Sequence, residues 1–105
     1  MLNKNEAWEI ASKYAEEVRK VLNPNSVIFF GSYVGGTPHE YSDIDIAVVF
    51  NDFQGNWLET TSLLFKLTRY VSIDIEPHMM DETNDCSGFL EHVKKSGEVI
   101  YDALW

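Results

Sequence analysis

The chain has 105 residues, 45% of them hydrophobic and 13% aromatic, which is enough apolar material for one compact core and too little chain for two. Its 17 acidic and 8 basic side chains leave a net charge of -9, which argues against unaided binding of long DNA or RNA, because that affinity comes from Lys and Arg neutralising phosphates. No apolar run is long enough to span a membrane, the start MLNKNEAWEI lacks a signal-peptide layout, and the lone Cys86 has neither a disulfide partner nor a CxxC mate, so a soluble cytoplasmic domain without structural zinc is expected.

Over residues 7–22, Ala7, Ile10, Ala11, Tyr14, Val18 and Leu22 recur at three- and four-residue steps and predict a helix, which Asn23, Pro24 and Asn25 stop. Val27, Ile28, Phe29 and Phe30 follow as a short apolar run, the pattern of a strand buried on both faces. The next stretch, GSYVGGTPHEYS, is rich in turn residues and leaves room for at most one helical turn. A second strand is expected over 44–50, with Asp43 and Asp45 at its entrance and only apolar residues beyond. Asn56 is placed to cap a helix over 57–69 that buries Leu64 and Leu67. Alternation over 72–78 predicts a third strand with Ile73, Ile75 and Pro77 on one side and Asp74, Glu76 and His78 on the other. A last helix over 87–96, ended by Gly97, and a short edge strand over 99–101 complete an α/β domain with a small mixed β-sheet and flanking helices.

Two aspartates one residue apart at a strand entrance present both carboxylates on one face, roughly 7 Å apart along the strand. Without a cation these charges repel, so packing alone gives little reason to place them there. A lone DxD pair is nevertheless common in loops before strands, and the stronger indication is Gly31 and Ser32 just after the first strand. Glycine at a strand end permits close approach of backbone to ligand, and Ser32 with its neighbouring amides can donate to phosphate oxygens. If the two strands run antiparallel, these phosphate donors face Asp43 and Asp45.

Gly31 and Ser32, the loop, then Asp43, Ile44 and Asp45 resemble the signature of minimal nucleotidyltransferases in the DNA polymerase beta superfamily. The likeness extends to Ser72-Ile73-Asp74-Ile75-Glu76-Pro77, which matches the strand with the family's third carboxylate, and to the ending Gly97-Glu98-Val99-Ile100-Tyr101. The resemblance implies a palm-like fold, Mg²⁺ (two ions) held by Asp43, Asp45 and Asp74, and triphosphate held at Gly31 and Ser32. Glu76 shares the face of Asp74 and competes with it, or stands behind the ligands; His78 shares that face too. At Gly35, where many relatives carry Arg or Lys, a basic contact to the triphosphate is missing. His39 and His92 read as surface residues, and Trp8, Trp57 and Trp105 as packing or partner contacts.

The activity so implied is transfer of a nucleoside monophosphate, AMP from ATP, to an acceptor hydroxyl. The chain leaves little beyond a catalytic core to bind an acceptor, and by resemblance the acceptor is a separate HEPN-type toxin chain, with this chain as its antitoxin. Two other readings stay open: a catalytically silent module that neutralises its partner by covering it, and an enzyme acting on a small molecule of aminoglycoside type, in which a homo-oligomer would have to build the acceptor pocket.

Overall fold

Asn3 starts the first helix. Its side chain accepts a hydrogen bond from the Glu6 amide at 2.8 Å while the Asn3 amide donates to Glu6 Oε1 at 3.1 Å, a reciprocal cap that carries α1 over Lys4–Val21, three residues ahead of the apolar periodicity. The computed structural model describes residues 2–36 and 43–105. Next come β1 (Ser26–Phe30), the single turn α2 (Ser32–Gly35), β2 (Ile44–Phe50), α3 (Trp57–Leu67) with a 3₁₀ turn at Thr68–Tyr70, β3 (Ile75–Asp81), α4 (Phe89–Ser96) and β4 (Glu98–Asp102). His39 lies outside the described residues.

The four strands form one sheet in the order β3-β2-β1-β4. β1 is antiparallel to β2 and to β4, whereas β2 and β3 run parallel, so the sheet is mixed as expected. Alternation along the strands builds two cores. Val27, Phe29, Ile44, Ile46 and Val48 pack with Ala11, Tyr14 and Val18 of α1 and Leu64 of α3, while Ile28, Phe30, Ala47, Val49 and Met80 pack with Leu90 and Val93 of α4. The buried Tyr14 hydroxyl donates to the Leu64 carbonyl at 2.6 Å, tying α1 to α3 with a bond worth about 1 kcal/mol net, and burial pushes that phenol well above its ordinary pKa.

Two expected boundaries shift. Asn56 caps α3 through the Glu59 amide at 2.9 Å, but the α-helix ends at Leu67 and tightens into the 3₁₀ turn, where Thr68 Oγ1 donates to the Phe65 carbonyl at 2.7 Å. The third strand starts at Ile75, not Ser72. The Val71 and Ser72 amides both donate back to the Thr68 carbonyl, and the Asp74 amide donates to Ser72 Oγ at 3.1 Å, so the chain is still turning where alternation had suggested a strand. Ile73 is accordingly exposed rather than inward.

At the far end of β3, Asp81 gathers four donors: the amides of Asp52, Phe53 and Thr83 and the Thr83 hydroxyl, at 2.7 to 3.0 Å. These bonds fix the turn after β2, where Asp52 holds a left-handed φ of 59°. The Thr83 hydroxyl first, then the amides, hold the Asp81 carboxyl well below the usual carboxylate range. A depressed folded-state pKa gives stability that is fully present above the unfolded value and is lost as pH falls through the folded one. Asp81→Asn is expected to lower the melting temperature at pH 7 by about 4–8 °C, the shift that about 1 kcal/mol produces in a domain of this size. The gap to the parent should close as pH is taken below about 4 in thermal melts; a gap constant down to pH 2 would show that the ionised form is not what holds the turn.

Candidate active site

The face of the sheet shared with α4 is only partly covered. α4 spans 8 residues and packs on Ile28, Phe30, Ala47, Val49 and Met80, which leaves the end of β2 and β3 nearest Asp43 open. Because side chains alternate, Asp45 points the same way as Ala47 and Val49, and Glu76 and His78 the same way as Met80. The parallel register pairs Asp45 with Glu76 and Ala47 with His78, so three chemically active side chains meet at one corner of the sheet.

Their ligand atoms all lie within 4.8 Å of one another. His78 Nε2 is 3.1 Å from Asp45 Oδ1 and 4.0 Å from Glu76 Oε1. Asp43, just ahead of β2, brings its carboxyl within hydrogen-bonding reach of Glu76. Burial, that contact and the charges of Asp45 and Asp43 push the Glu76 carboxyl above its ordinary range, while His78 pulls the other way. Two carboxylates and an imidazole brought this close are oxygen and nitrogen donors of the kind a divalent cation takes, and the cation supplies the positive charge the carboxylates lack. The donor set thus fits a divalent metal.

Antiparallel pairing places Phe30 opposite Asp45, and the next residue, Gly31, turns the chain into α2. Gly31 has φ 89° and ψ -159°, a region essentially reserved for glycine. A Cβ there would also overlap Asp45 Oδ2 and lie 3.0 Å from Asp45 Cγ. The carboxylate rests directly against the bare backbone of the turn. Ser32 follows as the first residue of α2, and a groove of about 470 Å³ opens between this turn and α4, lined by Phe30, Gly31, Ser32, Gly35, Phe89 and His92 together with Ser96. A second cavity of about 420 Å³ lies beside Arg19, Asn25, Asn51 and Tyr101, where Arg19 is stacked over the Tyr101 ring at 3.8 Å and no acidic residue is among the described lining.

The sequence of residues 9–103 matches the pattern of the family described as polymerase beta, nucleotidyltransferase. The chain belongs to that family. Among solved structures it is similar to a protein of Sulfolobus solfataricus assigned as a nucleotidyltransferase, with 22% identity, a TM-score of 0.70, and coverage of 96% of this chain and 85% of that one. It is also similar to a chain of a toxin–antitoxin complex with AMP-PNP, at 25% identity and TM-score 0.67 over 97% of this chain and 75% of that one. A third likeness, at 20% identity and TM-score 0.65, covers 93% of this chain and 74% of a chain in the tri-AMPylated Shewanella oneidensis HEPN toxin complex with its MNT antitoxin. No curated protein matches the sequence.

Within the family fold, Asp43, Asp45, Gly31 and Ser32 converge at one corner, but Asp74 does not join the cluster. It is exposed in the turn before β3 and meets β2 through its backbone, its carbonyl accepting from the Ile44 amide at 2.8 Å. The residue that stands beside Asp45 is Glu76. Alternation alone cannot distinguish two acidic residues on one face; the distinguishing signal was Ser72, whose side chain starts a turn and delays the strand. His78 stands on the face that alternation gives it, 3.1 Å from Asp45 Oδ1, and the exposed His92 borders the groove through α4, a packing that local sequence does not encode.

Gly31→Ala is expected to cost about 1–3 kcal/mol from backbone strain alone. Because the new methyl group also displaces Asp45, divalent-cation affinity should fall by about tenfold or more, as it does when a ligand loses its support. Calorimetric titration with Mn²⁺, paired with thermal melts, checks both; an unchanged affinity would show that Asp45 does not need the bare backbone.

Proposed function

We propose that this chain transfers AMP from ATP to a hydroxyl group on a partner protein, with Asp43, Asp45 and Glu76 holding Mg²⁺ and with Gly31 and Ser32 receiving the outer phosphates. The observation that carries the reading is the contact of Asp45 with the Gly31 turn: metal-ligating oxygens and phosphate donors share one corner, as nucleotidyl transfer requires. The complex of a similar chain with AMP-PNP supports an adenine nucleotide, and the AMPylated HEPN toxin bound to a similar antitoxin supports a HEPN-type protein as acceptor.

Asp43, Asp45 and Glu76 would hold the cation, whose positive charge would offset the negative charge that builds during transfer. The protein's own part is placement. The carboxylate of Asp45 is fixed by the glycine beneath it and by His78 at its side, and Glu76 is fixed by its strand register. In the reaction the acceptor oxygen bonds to the α-phosphorus, the bond to the β-phosphate oxygen breaks, and pyrophosphate leaves. Glu76 is the carboxylate placed to accept the hydroxyl proton. Asp74, exposed in its turn, has no part in this scheme.

Incubation with radiolabelled ATP, Mg²⁺ and the protein encoded beside this one is expected to label that partner. Asp45→Asn should reduce labelling by more than about 100-fold, beyond what loss of an outer support costs; absence of labelling with the parent chain, or labelling unchanged by Asp45→Asn, would overturn the proposal.

Gly35 lines the groove with nothing within 4 Å of where a Cβ would stand, and neither Lys nor Arg lines the groove among the described residues. Gly35→Arg therefore introduces a cation without a clash. ATP affinity is expected to rise by about three- to tenfold, about 1 kcal/mol, as a charge-assisted bond at a half-open site provides. Equal affinity in the two proteins would place the triphosphate elsewhere.

A further inference from the structure

The imidazole at this corner is aimed as a ligand would be. It is Nε2, not the other ring nitrogen, that faces both carboxylates, 3.1 Å from Asp45 Oδ1 and 4.0 Å from Glu76 Oε1. Around an octahedral cation with bonds of about 2.1 Å, neighbouring ligand atoms stand about 3.0 Å apart and opposite ones about 4.2 Å. The two distances fall close to those values, and all three ligand atoms lie within 4.8 Å.

The ring is also held in place. Its face and edge are set by Phe30, at 5.1 Å between centroids and 62°, and by Phe89, at 6.5 Å and 68°. Directly beside His78 on β2 is Ala47, whose methyl group leaves the imidazole free to lean toward Asp45. A histidine serving only to hold Asp45 would need one contact with one carboxylate, whereas this nitrogen converges with two.

We propose that Nε2 of His78 is itself a cation ligand, giving a mixed nitrogen and oxygen site shifted from Mg²⁺ toward first-row transition-metal dications. The inference rests on the reading that Asp45 and Glu76 bind a divalent cation, and it assigns a third protein ligand and a metal preference to that site. Mg²⁺ favours oxygen ligands, whereas imidazole suits the borderline transition metals, so the nitrogen raises affinity for the second group more than for the first.

Mn²⁺ alone is the probe, because its unpaired electrons report a directly bound nitrogen in pulsed electron paramagnetic resonance. The parent chain loaded with Mn²⁺ is expected to show ¹⁴N coupling that changes when the protein is made with ¹⁵N-labelled histidine, a comparison that needs no variant to fold. His78→Gln should abolish the coupling and weaken Mn²⁺ binding by about tenfold or more while lowering Mg²⁺ affinity less, with thermal melts confirming the fold. His92→Ala and His39→Ala should keep it. Mn²⁺ that binds, and is lost in Asp45→Asn, without histidine nitrogen coupling would overturn ligation by His78 and leave the carboxylate site standing. Coupling lost in His92→Ala or His39→Ala instead would overturn the assignment to this residue. No Mn²⁺ binding at all would overturn both this inference and the proposed function.

Discussion

Asp45 reaches its position because Gly31 has no side chain. The last residue of β1 pairs with Asp45, and the chain must then leave the sheet without covering it. A left-handed glycine does both, turning the backbone into α2 and clearing the space that Asp45 Oδ2 occupies. The Gly31 turn and the Asp45 carboxylate thereby share a corner although they stand 14 positions apart in the sequence. The conformational demand at Gly31 and the chemistry at Asp45 are one constraint, because any residue with a Cβ would disturb both at once.

The corner stays accessible because the two sides of the sheet are covered unequally. α1 and α3 lie over one side and bury Ile44 and Ile46 completely, while α4, at 8 residues, covers the other only as far as Phe30 and Ala47. Gly97 lets α4 sit close: a Cβ there would lie 2.7 Å from the Val93 carbonyl and 2.6 Å from Ile28 Cγ2. The short helix leaves a strand pair with apolar residues at one end and acidic ones at the other.

Most of the architecture was legible because its signals are local. The periodicity of α1, the all-apolar β1, the Asn56 cap and the stop at Gly97 each act within a few residues, and each element formed near its expected place. The place of Asp43 and Asp45 at the entrance of β2 could be read in the same way, from a DxD pair ahead of an apolar strand. The acidic neighbour of Asp45 could not, because Asp74 and Glu76 have the same parity and differ only in where the strand begins. That boundary depends on the Thr68 carbonyl and the Ser72 hydroxyl, and the neighbour chosen for Asp45 depends on a register between strands about thirty residues apart. Long-range pairing also brings His78 to Asp45, which no spacing in the sequence implies.

Charge sets the character of this corner. With 17 acidic and 8 basic side chains the protein has few positive groups to spare, and those near the sheet edges are engaged elsewhere: Lys94 with Glu82 at 2.6 Å, Lys95 with Glu91 at 3.3 Å and Lys4 with Glu98 at 2.6 Å. At the corner itself the imidazole of His78 stands 3.1 Å from Asp45 Oδ1, and the neighbouring carboxyls keep the Glu76 carboxyl above its ordinary range. The pairing of β2 with β3 holds Asp45, Glu76 and His78 converged, so the corner keeps its shape through strand register rather than through a basic side chain.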